Sequence, residues 1–268
     1  MAEDQLRDTG VDNSDDIHQL DTAGDRLRRR GVYLLPNMIT TGAMFAGFYA
    51  IVAGMTGNFV AAGLAIFSAL ILDTLDGRVA RWTRSESEFG AEYDSLSDMV
   101  AFGVAPALVA FSWALSSLGQ FGWVVAFIYM ACAGLRLARF NTKDDSSTFT
   151  GLASPSAAAI IASTVWIWSA NTQGDASLFA AIVLAVATTV VGLLMVSQFT
   201  YFSPKTLDLK GRVPFLALVA VVLVFAVVLA DPPLVLLVCF TVYALSGPAT
   251  YVWQRVRQGN GRIFGRSN

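Results

Sequence analysis

Four aspartates, Asp73, Asp76, Asp94 and Asp98, stand in the single stretch DTLDGRVARWTRSESEFGAEYDSLSD, together with Arg78, Arg81 and Arg84. Asp73 and Asp76 are three residues apart, and Asp94 and Asp98 are four apart. On a helix, each pair shares one face. Carboxylates gathered in this way repel one another unless something positive lies among them. Arg81 can offset one charge. Divalent cations offset more, and hard oxygen donors suit Mg²⁺ or Mn²⁺. Four carboxylates are enough for two such ions, the arrangement that steadies attacking and leaving oxygens in phosphoryl displacement. Glu86, Glu88 and Glu92 read as a solvated loop, whereas Asp73, embedded in SALILDTLDG, does not. Gly77, Ala80 and Gly90 stand beside these acids, and small side chains leave backbone open to a flat ligand and let helices approach closely.

These charges lie in a chain that is otherwise strongly apolar. Of its 268 residues, 55% are hydrophobic and 14% charged, against about 25% charged in an ordinary soluble domain. The apolar residues fall into eight blocks: 34–55, 59–79, 95–115, 122–137, 154–170, 177–196, 213–230 and 234–252. Blocks of roughly 20 residues match the 30 Å of a bilayer's hydrocarbon core. The fourth and fifth are the shortest. The sequence therefore predicts an all-α, polytopic membrane protein with about eight transmembrane helices. A soluble helical core would not need eight such blocks. The chain divides into an acidic tail with a basic juxtamembrane segment (1–30), a membrane domain (31–254) and a basic C-terminal tail (255–268), with residues 1–25 expected to be mobile.

All 18 lysines and arginines fall on alternate connections, at the block ends that border them or at the termini, and the other four loops hold none. The positive-inside rule then puts both termini and the charged loops in the cytoplasm. The expected location is the inner cell membrane, multi-pass, with the acidic site facing the cytoplasm. The first 25 residues hold eight acids and no apolar core, so they are no secretory signal. Arg26 and Arg28–Arg30 sit where basic residues attract anionic membrane lipids. Cys132 and Cys239 are too few for a zinc site or a disulfide framework. His18 is alone in the acidic tail. There is no internal repeat and no glycine-rich nucleotide loop, and the basic C-terminal tail is too short to suggest nucleic-acid binding.

Asp73-x2-Asp76-Gly77-x2-Ala80-Arg81-x8-Gly90-x3-Asp94-x3-Asp98 resembles, at every fixed position, the signature of the CDP-alcohol phosphatidyltransferase family. The resemblance implies that the four aspartates hold two divalent metals gripping the pyrophosphate of a CDP-linked lipid. It implies that Asp98 takes the proton from the incoming alcohol, and that Gly77, Ala80 and Arg81 belong to the nucleotide pocket. LPNMITTG in the first block is similar to the family's stretch near the nucleotide, with Asn37 and Thr40 as candidates. A homodimer is likewise implied by the resemblance alone.

The signature reads the shared donor, not the acceptor. Three further segments resemble the integral-membrane phosphatidylserine synthases of bacteria and archaea, a branch of that family. They are GLRLARFN (with Arg136, Arg139 and Asn141), FTGLASPSAAA, and LMVSQFTYFSPKTLDLKGRVPF (with Tyr201, Ser203 and Lys205). Departures from that branch stand at Ala153, where a proline is expected, and at Pro204, where an aromatic residue is expected. The resemblance implies CDP-diacylglycerol and L-serine as substrates. The chemistry agrees independently, because Arg136 and Arg139 are three apart and arginine suits a carboxylate. Lys205 suits a carboxylate or a lipid phosphate. Each of these cations also serves topology. Other acceptors remain: glycerol 3-phosphate or an inositol phosphate, which want a larger basic cluster, and choline, which wants aromatic or acidic groups. A transporter is the alternative from another class, but it expects charges near the bilayer midplane.

Overall fold

The computed structural model describes residues 13–142, 150–171, 176–201 and 230–264, with side chains from residue 34 to residue 253 within those stretches. All but the last residue of the seventh apolar block lies outside the described residues, as do Ser203 and Lys205. Among the described residues there is no strand, only one antiparallel bridge between Thr150 and Thr200.

The helices are α1 (Asn13–Met55), α2 (Phe59–Thr83), α3 (Glu88–Asp98), α4 (Ala105–Trp113), α5 (Gln120–Asn141), α6 (Ser154–Asn171), α7 (Leu178–Val196) and α8 (Pro232–Phe264). Polar caps mark where they begin. The Asn58 side chain accepts from the Ala61 N–H at 3.2 Å to open α2. Ser87 does the same for α3, accepting from the Gly90 N–H at 3.0 Å. Such caps satisfy donors that the first helical turn leaves free. Between them Arg84, left-handed at φ 52°, ends α2. A π-helical segment, Met99–Val104, joins α3 to α4.

Among the described residues, six helical stretches are long and apolar enough to cross a membrane, and they include the continuous rod Glu88–Trp113. Helix α6 matches the fifth apolar block but falls short of that apolarity. Its sequence is rich in Ala, Ser and Thr, and eleven of its residues are buried. It packs against α2, α4, α7 and α8, so protein rather than lipid surrounds it.

Helix α1 is the shared wall of the site, packing against α2, α3, the π segment and α4. Small residues make this possible. A Cβ on Gly47 would sit 2.7 Å from the Ala101 Cα, and one on Gly54 would sit 3.2 Å from Val109 Cγ2. Alanines dominate the buried positions, among them Ala62, Ala69, Ala101, Ala105, Ala133 and Ala158.

A backbone clasp ties the start of α6 to the end of α7. Gly151 donates to the Phe199 carbonyl at 2.9 Å and Leu152 to that of Leu194 at 3.0 Å. Gly151 has φ +84°, and a Cβ there would run into the Met195 carbonyl oxygen. Gly57 has φ +80° with open space around it. Both substitutions to alanine carry a left-handed penalty of roughly 1–2 kcal/mol, but only Gly151→Ala adds the collision. Thermal unfolding in detergent should show Gly151→Ala clearly less stable than Gly57→Ala. Equal melting temperatures would mean that the clasp yields.

Candidate active site

Helices α2 and α3 carry the acids, and α1 connects them through one residue. The Thr40 hydroxyl donates to Asp76 Oδ2 at 2.7 Å, with the Pro36 carbonyl a longer alternative at 3.1 Å. The Thr40 carbonyl accepts from the Ser97 hydroxyl at 3.1 Å. Thr40 therefore touches α2 with its side chain and α3 with its backbone. Asp76 is 5% exposed, so this is a buried charged contact. A second tie joins Thr41 to the Tyr93 hydroxyl at 2.9 Å.

Asp73, Asp76 and Asp94 each place one carboxylate oxygen within 4.8 Å of the others. Asp98 adjoins this group, its carboxyl at hydrogen-bonding distance from that of Asp73. Among the described residues, Asp94 Oδ1 is buried without a hydrogen-bond donor. A buried carboxylate oxygen without a donor is unfavourable unless something positive meets it. Together, the all-oxygen donor set, its spacing and the orphaned Asp94 oxygen fit a hard divalent cation.

Beside the acids lies a cavity of about 260 Å³. Asn37, Thr40, Gly77, Ala80 and Arg81, the five residues expected near a nucleotide, all line it, with Asp76 and Asp94. Two glycines keep it open. A side chain at Gly77 would meet no neighbouring atom, so it would project into free space. One at Gly90 would come within 3.1 Å of Ser87 Oγ and 3.6 Å of Asn37 Oδ1. Arg81 is exposed at the rim.

The residues expected around the acceptor are spread more widely. Arg136 comes nearest the acids. Its Nη1 donates to Ser154 Oγ at 2.9 Å, and its guanidinium lies within electrostatic reach of Asp98 and of Tyr243. Its Nε is buried without a partner among the described residues. Arg139 turns instead to the end of α7, with Nη1 3.5 Å from the Val196 carbonyl. Asn141 pairs with Ser95, which tethers α5 to α3 at 3.1–3.2 Å. Tyr201 donates to the Ala244 carbonyl at 3.2 Å. Burial pushes its phenol up to about 12, so it stays protonated as that donor. Its ring lies against Gly247, where a Cβ would be 2.5 Å from Cζ.

Tyr243 has no counterpart in the sequence reading. It sits on α8, far along the chain from the signature, with its ring 5.4 Å from that of Tyr201. Nothing in the spacing of the eighth apolar block marks it.

Membrane-length helices, a cluster of carboxylates and an adjoining cavity define a membrane-type helical protein built around an acidic ligand site. The chain belongs to the CDP-alcohol phosphatidyltransferase family, which it matches over residues 33–194. Its curated relatives include proteins named CDP-diacylglycerol–serine O-phosphatidyltransferase. The one from Helicobacter pylori is 35% identical over 203 residues, covering 72% of this chain and 82% of the relative. The Bacillus subtilis protein is 34% identical over 168 residues, 62% of this chain and 89% of the relative. The Methanocaldococcus jannaschii protein is 32% identical over 202 residues, 75% and 90% respectively.

Removing a partner that orients a metal ligand typically weakens metal binding about 10–100-fold. Thr40→Val, which strips the Asp76 hydrogen bond but keeps the side chain's shape, should weaken Mn²⁺ binding by that factor. Asp94→Asn should weaken it at least as much. Mn²⁺ titration of the purified protein, followed by the magnetic resonance of the free ion, measures both. Wild-type affinity in Thr40→Val would remove Thr40 from the site.

Proposed function

We propose that this protein transfers the phosphatidyl group of CDP-diacylglycerol to L-serine, giving phosphatidylserine and CMP. The observation that carries the reading is the cluster of Asp73, Asp76 and Asp94, two of which line the same cavity as Asn37 and Arg81, with Arg136 within electrostatic reach of Asp98. The names of the relatives favour serine as the acceptor.

The cytidine end of the donor occupies the cavity, against the open backbone at Gly77 and beside Asn37, Ala80 and Arg81. Its diphosphate then lies along Asp76 and Asp94. Asp73, Asp76, Asp94 and Asp98 would hold two divalent ions, Mg²⁺ or Mn²⁺. When bound, these ions offset the diphosphate's charge and that of the leaving CMP. Arg136, whose Nε has no partner among the described residues, takes the serine carboxylate, with Tyr243 within electrostatic reach of the same guanidinium. Because Asp98 neighbours Arg136, a serine held there brings its hydroxyl to the Asp98 carboxylate. Asp98 accepts the hydroxyl proton as the serine oxygen bonds to the phosphorus carrying the diacylglycerol. The bond from that phosphorus to the CMP oxygen breaks, and CMP leaves with the electron pair. Arg139, Asn141 and Tyr201 complete the acceptor side, directly or by holding its walls, and Ser203 and Lys205 are further candidates for binding serine or phosphate.

The same reading carries the finer topology: about eight spans, both termini and the site on the cytoplasmic side of the inner membrane, and a homodimer among membrane lipids. It divides the chain into the tail 1–30, the transferase domain 31–254 and the tail 255–268. A reporter fused after Asn268 should be active only in its cytoplasmic form.

The deciding experiment offers purified protein CDP-diacylglycerol with labelled serine, glycerol 3-phosphate, an inositol phosphate and choline in turn. CMP release should follow serine, stop in excess chelator and return with Mg²⁺ or Mn²⁺. Release with another acceptor in preference to serine would overturn the assignment. Asp98→Asn should lower turnover by about 10²–10⁴-fold, the usual loss of a general base. Arg136→Ala should raise the serine KM roughly ten- to a hundredfold, the equivalent of about 1.5–3 kcal/mol for a bond to a charged group. The KM for CDP-diacylglycerol should move less. The opposite pattern would assign Arg136 to the donor phosphates.

A further inference from the structure

The rod that carries Asp94 and Asp98 changes its winding immediately after Asp98. In Met99–Val104 the backbone bonds skip five residues rather than four, as in the Ala105 N–H donating to the Val100 carbonyl. The cause is in the sequence. Phe102 would ordinarily receive a bond from residue 106, which is Pro106 and has no N–H. A proline ring also crowds the carbonyl four residues before it. Widening the helix relieves that crowding, and the Phe102 carbonyl cannot draw on residue 106 for a donor. The Tyr129 hydroxyl supplies one from α5 at 2.9 Å.

This contact is closed on every side. Tyr129 and Phe102 are both 0% exposed. Helix α7 backs Tyr129, where a Cβ on Gly192 would come within 3.3 Å of the Tyr129 Cα. Helix α5 crowds the π segment too, because a Cβ on Gly103 would lie 3.3 Å from that of Ala133. Beyond the segment, α4 is fixed against α1 through Gly54 and Val109.

A π turn adds one residue, so the helix before it is rotated by about 100° relative to an unbroken α-helix. Asp94 and Asp98 lie on the rotated side. We propose that Tyr129 is a positioning residue: where Pro106 widens the rod, the Tyr129 hydroxyl anchors the Phe102 carbonyl to α5 and so fixes the angle at which Asp94 and Asp98 meet Asp73 and Asp76. The proposal rests on the reading of those four aspartates as one working site.

Tyr129→Phe removes the hydroxyl and keeps the ring. Mn²⁺ affinity of the full-length purified protein, hydrogen exchange across residues 99–105 and thermal unfolding are measured together. Exchange there should quicken about fivefold, and Mn²⁺ should bind about 10–100-fold more weakly, with little change in melting temperature. A merely structural role would lower the melting temperature and leave Mn²⁺ affinity alone. Unchanged Mn²⁺ affinity in a folded Tyr129→Phe protein overturns the proposal, whatever the exchange shows. If that variant does not fold, Pro106→Ala decides. It gives Phe102 its backbone donor, should let the segment rewind, and should weaken Mn²⁺ binding; unchanged affinity there overturns the proposal equally. Wild-type protein that binds no Mn²⁺ would instead sink the reading of the site itself, and this proposal with it.

Discussion

Like charges brought close together in a poorly hydrated place dominate this structure. Three carboxylates within 4.8 Å of one another, with a fourth against them, are stable only if the surroundings supply positive charge or donors. Among the described residues the supply includes the Thr40 hydroxyl and the Gly77 backbone on Asp76, and Arg136 beyond Asp98. The rest is left for a ligand. Stability and chemistry are therefore coupled at this end of the bundle, since the mutual repulsion that destabilises the cluster is what a bound cation would relieve.

Holding such a cluster requires backbones that do not spread apart under the repulsion. Helix α1 meets that need. It lies against both acid-bearing segments, closely enough at Gly47 that no side chain fits between it and Ala101. Thr40 stands at the meeting point, with one group bonded to each neighbour. The Ser95–Asn141 pair adds α5 to the same frame. The cavity beside the acids is what remains when helices meet this closely but two positions carry no side chain, Gly77 and Gly90.

Much of this was legible in the sequence. Charge spacing within apolar blocks marked the acids, because that signal is local; the residues of the cavity, Gly77, Ala80 and Arg81, were expected there through likeness to a family. Thr40 was legible only through likeness to a family; its bond to Asp76 spans 36 residues, and no periodicity reports such a contact. Arg136 and Arg139 looked like a pair because helical spacing puts them on one face. In the structure, neighbouring elements take them separately, Ser154 drawing one and the end of α7 the other. The π segment had a readable cause in Pro106, four residues after Phe102, but its consequence depends on whether another helix offers a donor there. Tyr243 gave no signal, since an aromatic in an apolar helix is ordinary. The expectation of eight spans met a helix, α6, whose polarity reflects protein neighbours rather than lipid.

That helix has a consequence for biogenesis. A segment rich in Ala, Ser and Thr gains little by leaving water for lipid on its own, and a translocon sorts segments largely by that gain. Two of the helices that surround α6, α2 and α4, are synthesised before it, and two, α7 and α8, after it. Were α6 to cross the bilayer, its entry would be a joint event, assisted by helices already waiting and completed only when later ones arrive. During that interval α6 would stand open to quality control. Substitutions on its faces would then show first as lost protein in the membrane, before any assay of the acidic site reports a change.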